Sequence, residues 1–160
     1  MSLAEVSTIL WRERELLELL LFKLEEEQLV LSSGRTRWLA RATKEVEIFL
    51  EEIRKVEMLR AVEVDATAKA MGQPTGISLA RLAEVSDQPW QDLLHEHRKA
   101  FLTMAAEIHA IAEANRELLT AGQRATREAL LSFGESTPTY TQHGVAAVSS
   151  VRSRLVDEAI

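Results

Sequence analysis

Apolar residues recur every three or four positions along most of this chain, the spacing of one face of a helix, and the pattern breaks where Gly and Pro cluster. Breakers fall at Gly34, at Gly72, Pro74 and Gly76, at Pro89, and at Gly134, Pro138 and Gly144. The first interval opens with Ser2 and Glu5 at capping-box spacing. Leu10, Leu17, Leu24 and Leu31 then recur every seven residues, with Val6 and Leu20 between them. Such a repeat implies a left-handed helix pairing that ends where Gly34 takes the left-handed cap. In the second interval Leu39, Ala42, Val46, Phe49, Ile53 and Val56 keep strict three-four spacing. After Val56 the stripe is expected to drift to Leu59, Val62, Ala66 and Ala70, as a 3.6-residue helix slips against a 3.5 repeat. Glu51 and Lys55 are spaced for an exposed i,i+4 pair worth ~0.3 kcal/mol. The short loop at Gly34 makes these two helices an antiparallel hairpin.

Between Gly72 and Pro89 the pattern predicts a loop and then a short helix with Leu79, Leu82 and Val85 on one side. A third long helix starts near Pro89, with a seam of Trp90, Leu94, His97, Phe101, Met104, Ile108, Ile111, Asn115, Leu118, Gly122, Ala125 and Ala129. That is ~40 residues, or ~60 Å at the helical rise. From Gly134 the apolar period lapses into a polar, turn-rich stretch that reads as a mobile linker. Val145, Val148, Val151 and Leu155 return at helical spacing, in a Ser- and Val-rich segment too weak to hold a helix except by docking. The expected fold is all-α: an elongated antiparallel helical hairpin plus a long third helix, in a coiled-coil-like bundle over 1–134. Its helices are expected at about 2–33, 36–71 and 89–133, with the short helix at 78–85. A mobile linker and weakly helical tail are expected over 135–160.

Composition narrows the function classes. The formal charge of −6 disfavours wrapping nucleic acid or an anionic membrane surface. Without Cys there is no disulfide framework, thiol nucleophile or Cys-based zinc site. The first residues lack a secretory signal pattern, and the apolar run near Leu16 is broken by Glu18 and Lys23, short of the ~20 residues of a membrane span.

Little of the chain announces catalysis. There is no Gly-rich phosphate loop, nucleophile elbow or His-Glu-x-x-His pattern. Asp92 and His95 have an i,i+3 spacing that could share a metal in a bundle, with His97 beside them, but no second such motif exists. The plainer reading puts His95 in solvent and His97 in the core. Neither an enzyme nor a cofactor is expected. Asn115 interrupts an apolar seam and reads as a register device that must find hydrogen-bond partners. Gly122 reads as a close helix approach, or as a bend or groove for another backbone. Trp11, Trp38 and Trp90 read as bundle-end packing.

Asn115-Arg116-Glu117-Leu118-Leu119, a polar linker, and then Tyr140-Thr141-Gln142-His143-Gly144 form an order that resembles the FlgN family, cytoplasmic chaperones of the flagellar type III export system. The front half is also similar, with Glu25-Glu26-Glu27 leading through Leu31 to the Gly34 turn and on to Leu39. Arg35 departs from the family, in which an acidic residue often follows the turn glycine. The resemblance implies a cytoplasmic, non-enzymatic chaperone that holds the terminal amphipathic helices of flagellar hook-associated proteins, the hook-filament junction proteins, before export. Asn115, Leu118, Leu119, Leu130 and Phe133, with Val148 and Leu155 of the tail, are then the expected client-binding residues, and the tail's own helical spacing is expected to let 145–155 cover the same groove in the free protein. Tyr140, with Gly144, is expected by the same resemblance to dock on the membrane export gate. The competing reading is a coiled-coil scaffold or homo-oligomerisation module with no client.

Overall fold

The computed structural model describes residues 2–136, and no strand occurs among them. The elements are α1 (Leu3–Ser33), a 3₁₀ turn (Thr36–Trp38), α2 (Leu39–Ala70), a short α3 (Leu79–Glu84) and α4 (Trp90–Ser136). The chain divides into two compact units, Met1–Asn115 and Arg116–Ile160. Among the described residues no helix is long and apolar enough to cross a membrane.

In the first unit α1 begins as its sequence predicts. The Ser2 hydroxyl accepts the Glu5 amide at 3.3 Å and also donates to the Glu5 carboxylate. It ends at Gly34, whose φ of 68° is the left-handed value that relieves the last turn, its amide reaching the Leu31 carbonyl. The chain then reverses, and partners on α2 fall in number as those on α1 rise: Glu13 meets Arg60, and Lys23 meets Glu45. The two helices are therefore antiparallel. Along α4 as far as Asn115 the partners rise together, Ser7 meeting His97 and Leu24 meeting Asn115, so this part of α4 runs parallel to α1.

Two apolar clusters hold these helices. Val6, Leu10, Val64, Leu82, Ala83 and Leu94 form one, and α3 supplies its Leu82 and Ala83. The Ser78 hydroxyl caps α3 by accepting the Arg81 amide at 3.1 Å, and the loop before it is tied down by the Gly76 amide donating to Asp65 at 2.7 Å. Leu16, Leu20, Leu24, Val46 and Ile53 form the other cluster, with Ile108, Ile111 and Ala112 of α4 packed against it. Thus the 72–88 segment, which carried no signal beyond its amphipathic spacing, completes one of the two cores.

Between the clusters lies an ion pair. Glu13 is 3% exposed and takes the Arg60 guanidinium at 3.0 Å, while that guanidinium also sits over the Phe101 ring. Burial raises the Glu13 pKa above the usual carboxylate value, with the Arg60 charge opposing. This pair corrects the expected drift of the α2 stripe. Arg60, Val64, Thr67 and Ala68 continue the inward face, whereas Leu59 and Val62 are 53% and 62% exposed. A charged residue at an inward position hid the true seam from a hydrophobic pattern. The expected Glu51–Lys55 pair is also replaced, since Lys55 bonds Glu52 at 2.8 Å and Glu51 meets Arg54. Trp11 and Trp38 do not seal bundle ends. Both are about half exposed, under the guanidinium groups of Arg14 and Arg37 respectively.

Candidate helix-binding face

The described part of the second unit is the helix over 116–136, in which every side chain from 116 to 134 is exposed. Placed at about 100° per residue, its residues separate sharply. Arg116, Glu117, Arg124, Arg127 and Glu128 gather on one side. The opposite half of the circumference, about 180° wide, holds Leu118, Leu119, Ala121, Gly122, Ala125, Thr126, Ala129, Leu130, Ser132 and Phe133, without a charge. Leu118, Leu119 and Leu130 are 38%, 40% and 36% exposed, and Phe133 is 70% exposed. Leu131, of similar exposure, points to the charged side.

This arc has relief as well as polarity. Ala121, Ala125, Ala129 and Gly122 run along one side of it with Leu118 among them, and Phe133, Leu119 and Leu130 run along the other. A Cβ added at Gly122 would meet nothing within 4 Å among the described residues, so the expected close helix approach is absent there. What remains is an open notch. An uncharged helical face with one side mostly of small residues and the other bulky suits an amphipathic helix laid along it, whose large side chains enter where the backbone is least covered.

Asn115, the last residue of the first unit, is 3% exposed. Its Nδ2 donates to the Leu24 carbonyl at 2.9 Å and to Glu27 at 3.0 Å, binding α4 to α1 at one register. This is the register device expected of a polar seam residue, and it removes Asn115 from the set of exposed contacts. Leu118, Leu119, Leu130 and Phe133 all lie on the uncharged arc. Tyr140, Gly144, Val148 and Leu155 lie outside the described residues.

The histidines separate as well. His97 is fully buried, its Nε2 3.4 Å from the Ser7 hydroxyl and its Nδ1 3.5 Å from Arg14, with Trp11 edge-on at 4.8 Å. Burial, with the Arg14 charge adding to it, lowers its pKa to about 4. His95 is exposed, and Asp92 accepts from the Gln88 amide. Among the described residues no three His, Cys, Asp or Glu side chains are grouped to hold a metal ion.

A family model described as FlgN protein matches residues 1–147 of the chain. No curated protein and no solved structure matches it.

Proposed function

The chain belongs to the FlgN family, a family of flagellar export chaperones, and from that premise we propose that the uncharged arc of α4 holds an amphipathic terminal helix of a hook-associated protein before export. One observation carries the reading: a half-circumference of α4 over 116–134 is uncharged, mostly apolar and exposed. Leu118, Leu119, Leu130 and Phe133 contact the client. Covering them supplies about 1 kcal/mol per side chain, since each is already partly shielded by its own helix. The work is non-covalent and cytoplasmic: a client helix that would otherwise aggregate is kept soluble until handed on.

In the free protein Val148 and Leu155 turn the tail segment 145–155 onto the same arc. Tyr140, with Gly144, docks on the export-gate membrane protein as an aromatic anchor separate in sequence from the client-binding leucines. Tyr140→Ala therefore weakens gate binding and leaves client binding intact, whereas equal loss of both would assign Tyr140 a structural role.

Amide exchange with and without the C-terminal segment of a hook-filament junction protein tests the whole arrangement. Added segment is expected to protect 116–134 and to release 145–155. Protection confined to 3–70 would place the client elsewhere, and a tail unprotected in the free protein would remove its covering role.

A further inference from the structure

The outer side of α2 carries exposed apolar side chains. Met58, Leu59 and Val62 are 66%, 53% and 62% exposed on α2, and Ile48 is 50% exposed. Ile48, Glu51, Lys55, Met58, Val62, Asp65 and Lys69 step along α2 by alternating threes and fours, a seven-residue repeat opposite the one that packs inside the bundle. Its apolar positions are Ile48, Met58 and Val62, and the charges set between them constrain which helix would fit it.

We propose that the outer face of α2 is a self-association surface, on which a second copy of this chain lays its own α2 antiparallel about a two-fold axis near residue 60. Charge complementarity along the helix sets the register. In an antiparallel pair centred there, Met58 of one copy faces Val62 of the other, and Leu59 flanks them. One layer out, Lys55 faces Asp65, and a layer further Glu51 faces Lys69. Two-fold symmetry repeats each pairing, so an apolar centre is bracketed on both sides by opposite charges. Centring the pair one heptad earlier, near residue 53, would instead set Ile48 against Met58 and Glu51 against Lys55, a register that Lys69→Glu would leave undisturbed. The pairing charges remain available: Lys69 is exposed, and Asp65 uses one carboxylate oxygen for the Gly76 amide. Lys55 bonds Glu52 and Glu51 meets Arg54 on the surface, where such pairs exchange at little cost.

The contact spans 51–69, a helical length of about 27 Å, which makes a small interface and a weak dimer. The surface lies wholly on the first unit and shares no residue with the α4 arc, so the two are tested by separate variants.

Sedimentation equilibrium of the full chain, from about 10 to 500 μM, reads it directly; the range spans weak association of small interfaces. The mass is expected to rise with concentration from 18.0 kDa toward twice that value, less so in high salt. Glu51→Lys sets two lysines together and Lys69→Glu two glutamates, and each is expected to weaken dimerisation at least tenfold. The double variant Glu51→Lys with Lys69→Glu restores opposite pairing and dimerisation. A chain monomeric throughout would overturn the proposal. So would a dimer that survives both single variants or is not restored by the double one. All these positions are exposed, so helix content by circular dichroism should stay unchanged.

Discussion

His97 makes the stability of the bundle depend on pH through one residue. Its imidazole is fully buried and titrates at about 4, against about 6.5 for an unfolded chain. Because the folded value is the lower one, the unfolded state binds the extra proton, and stability is lost as pH falls from about 6.5 toward 4. Working the linkage through these two values gives a loss of about 2 kcal/mol between pH 7 and pH 5. Glu13 works in the opposite sense, because its raised pKa means that acid relieves a buried charge. The effect of His97 must therefore be isolated by difference. His97→Phe keeps an aromatic ring against Trp11 and Phe101 but cannot titrate. It deprives the Ser7 hydroxyl of its partner, at about 1 kcal/mol and at every pH. Urea unfolding of both proteins at pH 7, 6 and 5 should show wild type losing about 2 kcal/mol more than the variant over that range. Parallel pH dependences would refute the reasoning and mean that the imidazole is solvated or shares its proton with Ser7.

Arg60→Ala leaves Glu13 buried without its guanidinium and should cost about 2 kcal/mol, less than for a fully buried pair because Arg60 keeps part of its side chain in water. Replacing both Glu13 and Arg60 with Leu should be close to neutral in the same urea assay. Asn115→Ala removes two hydrogen bonds between α4 and α1 and should cost about 1–2 kcal/mol by thermal unfolding. Gly122→Ala should raise helix stability by about 0.5–1 kcal/mol, since nothing stands where the methyl goes. Gly122→Leu, filling the notch, should keep the helix and weaken client binding at least tenfold by fluorescence titration.

The elements themselves were legible because their signals are local. Ser2, Glu5 and Gly34 set the ends of α1, and Ser78 starts α3, through bonds made within three residues. Asn115 could be read as a register device because a lone polar residue in an apolar seam has few alternatives. The α2 stripe was misread because Arg60 occupies an inward position for a reason, Glu13, that lies 47 residues away. Periodicity reports which residues are apolar, not which charged ones are paired inside. The leucines of the 116–134 arc were found through family resemblance. The arc's freedom from charge and the opening at Gly122 appeared only when the helix was laid out in space. Tyr140, Gly144, Val148 and Leu155 rest on that resemblance and on spacing.

Calorimetric titration of the full chain with the C-terminal segment of a hook-filament junction protein tests the central claim most directly. Submicromolar binding at one segment per chain is expected, at least a hundredfold weaker when Leu119 and Leu130 are both changed to Glu and unchanged in Glu51→Lys. No heat of binding to wild type, or binding of equal strength to the Leu119→Glu, Leu130→Glu protein, would contradict the assignment of the α4 arc as the client-holding surface.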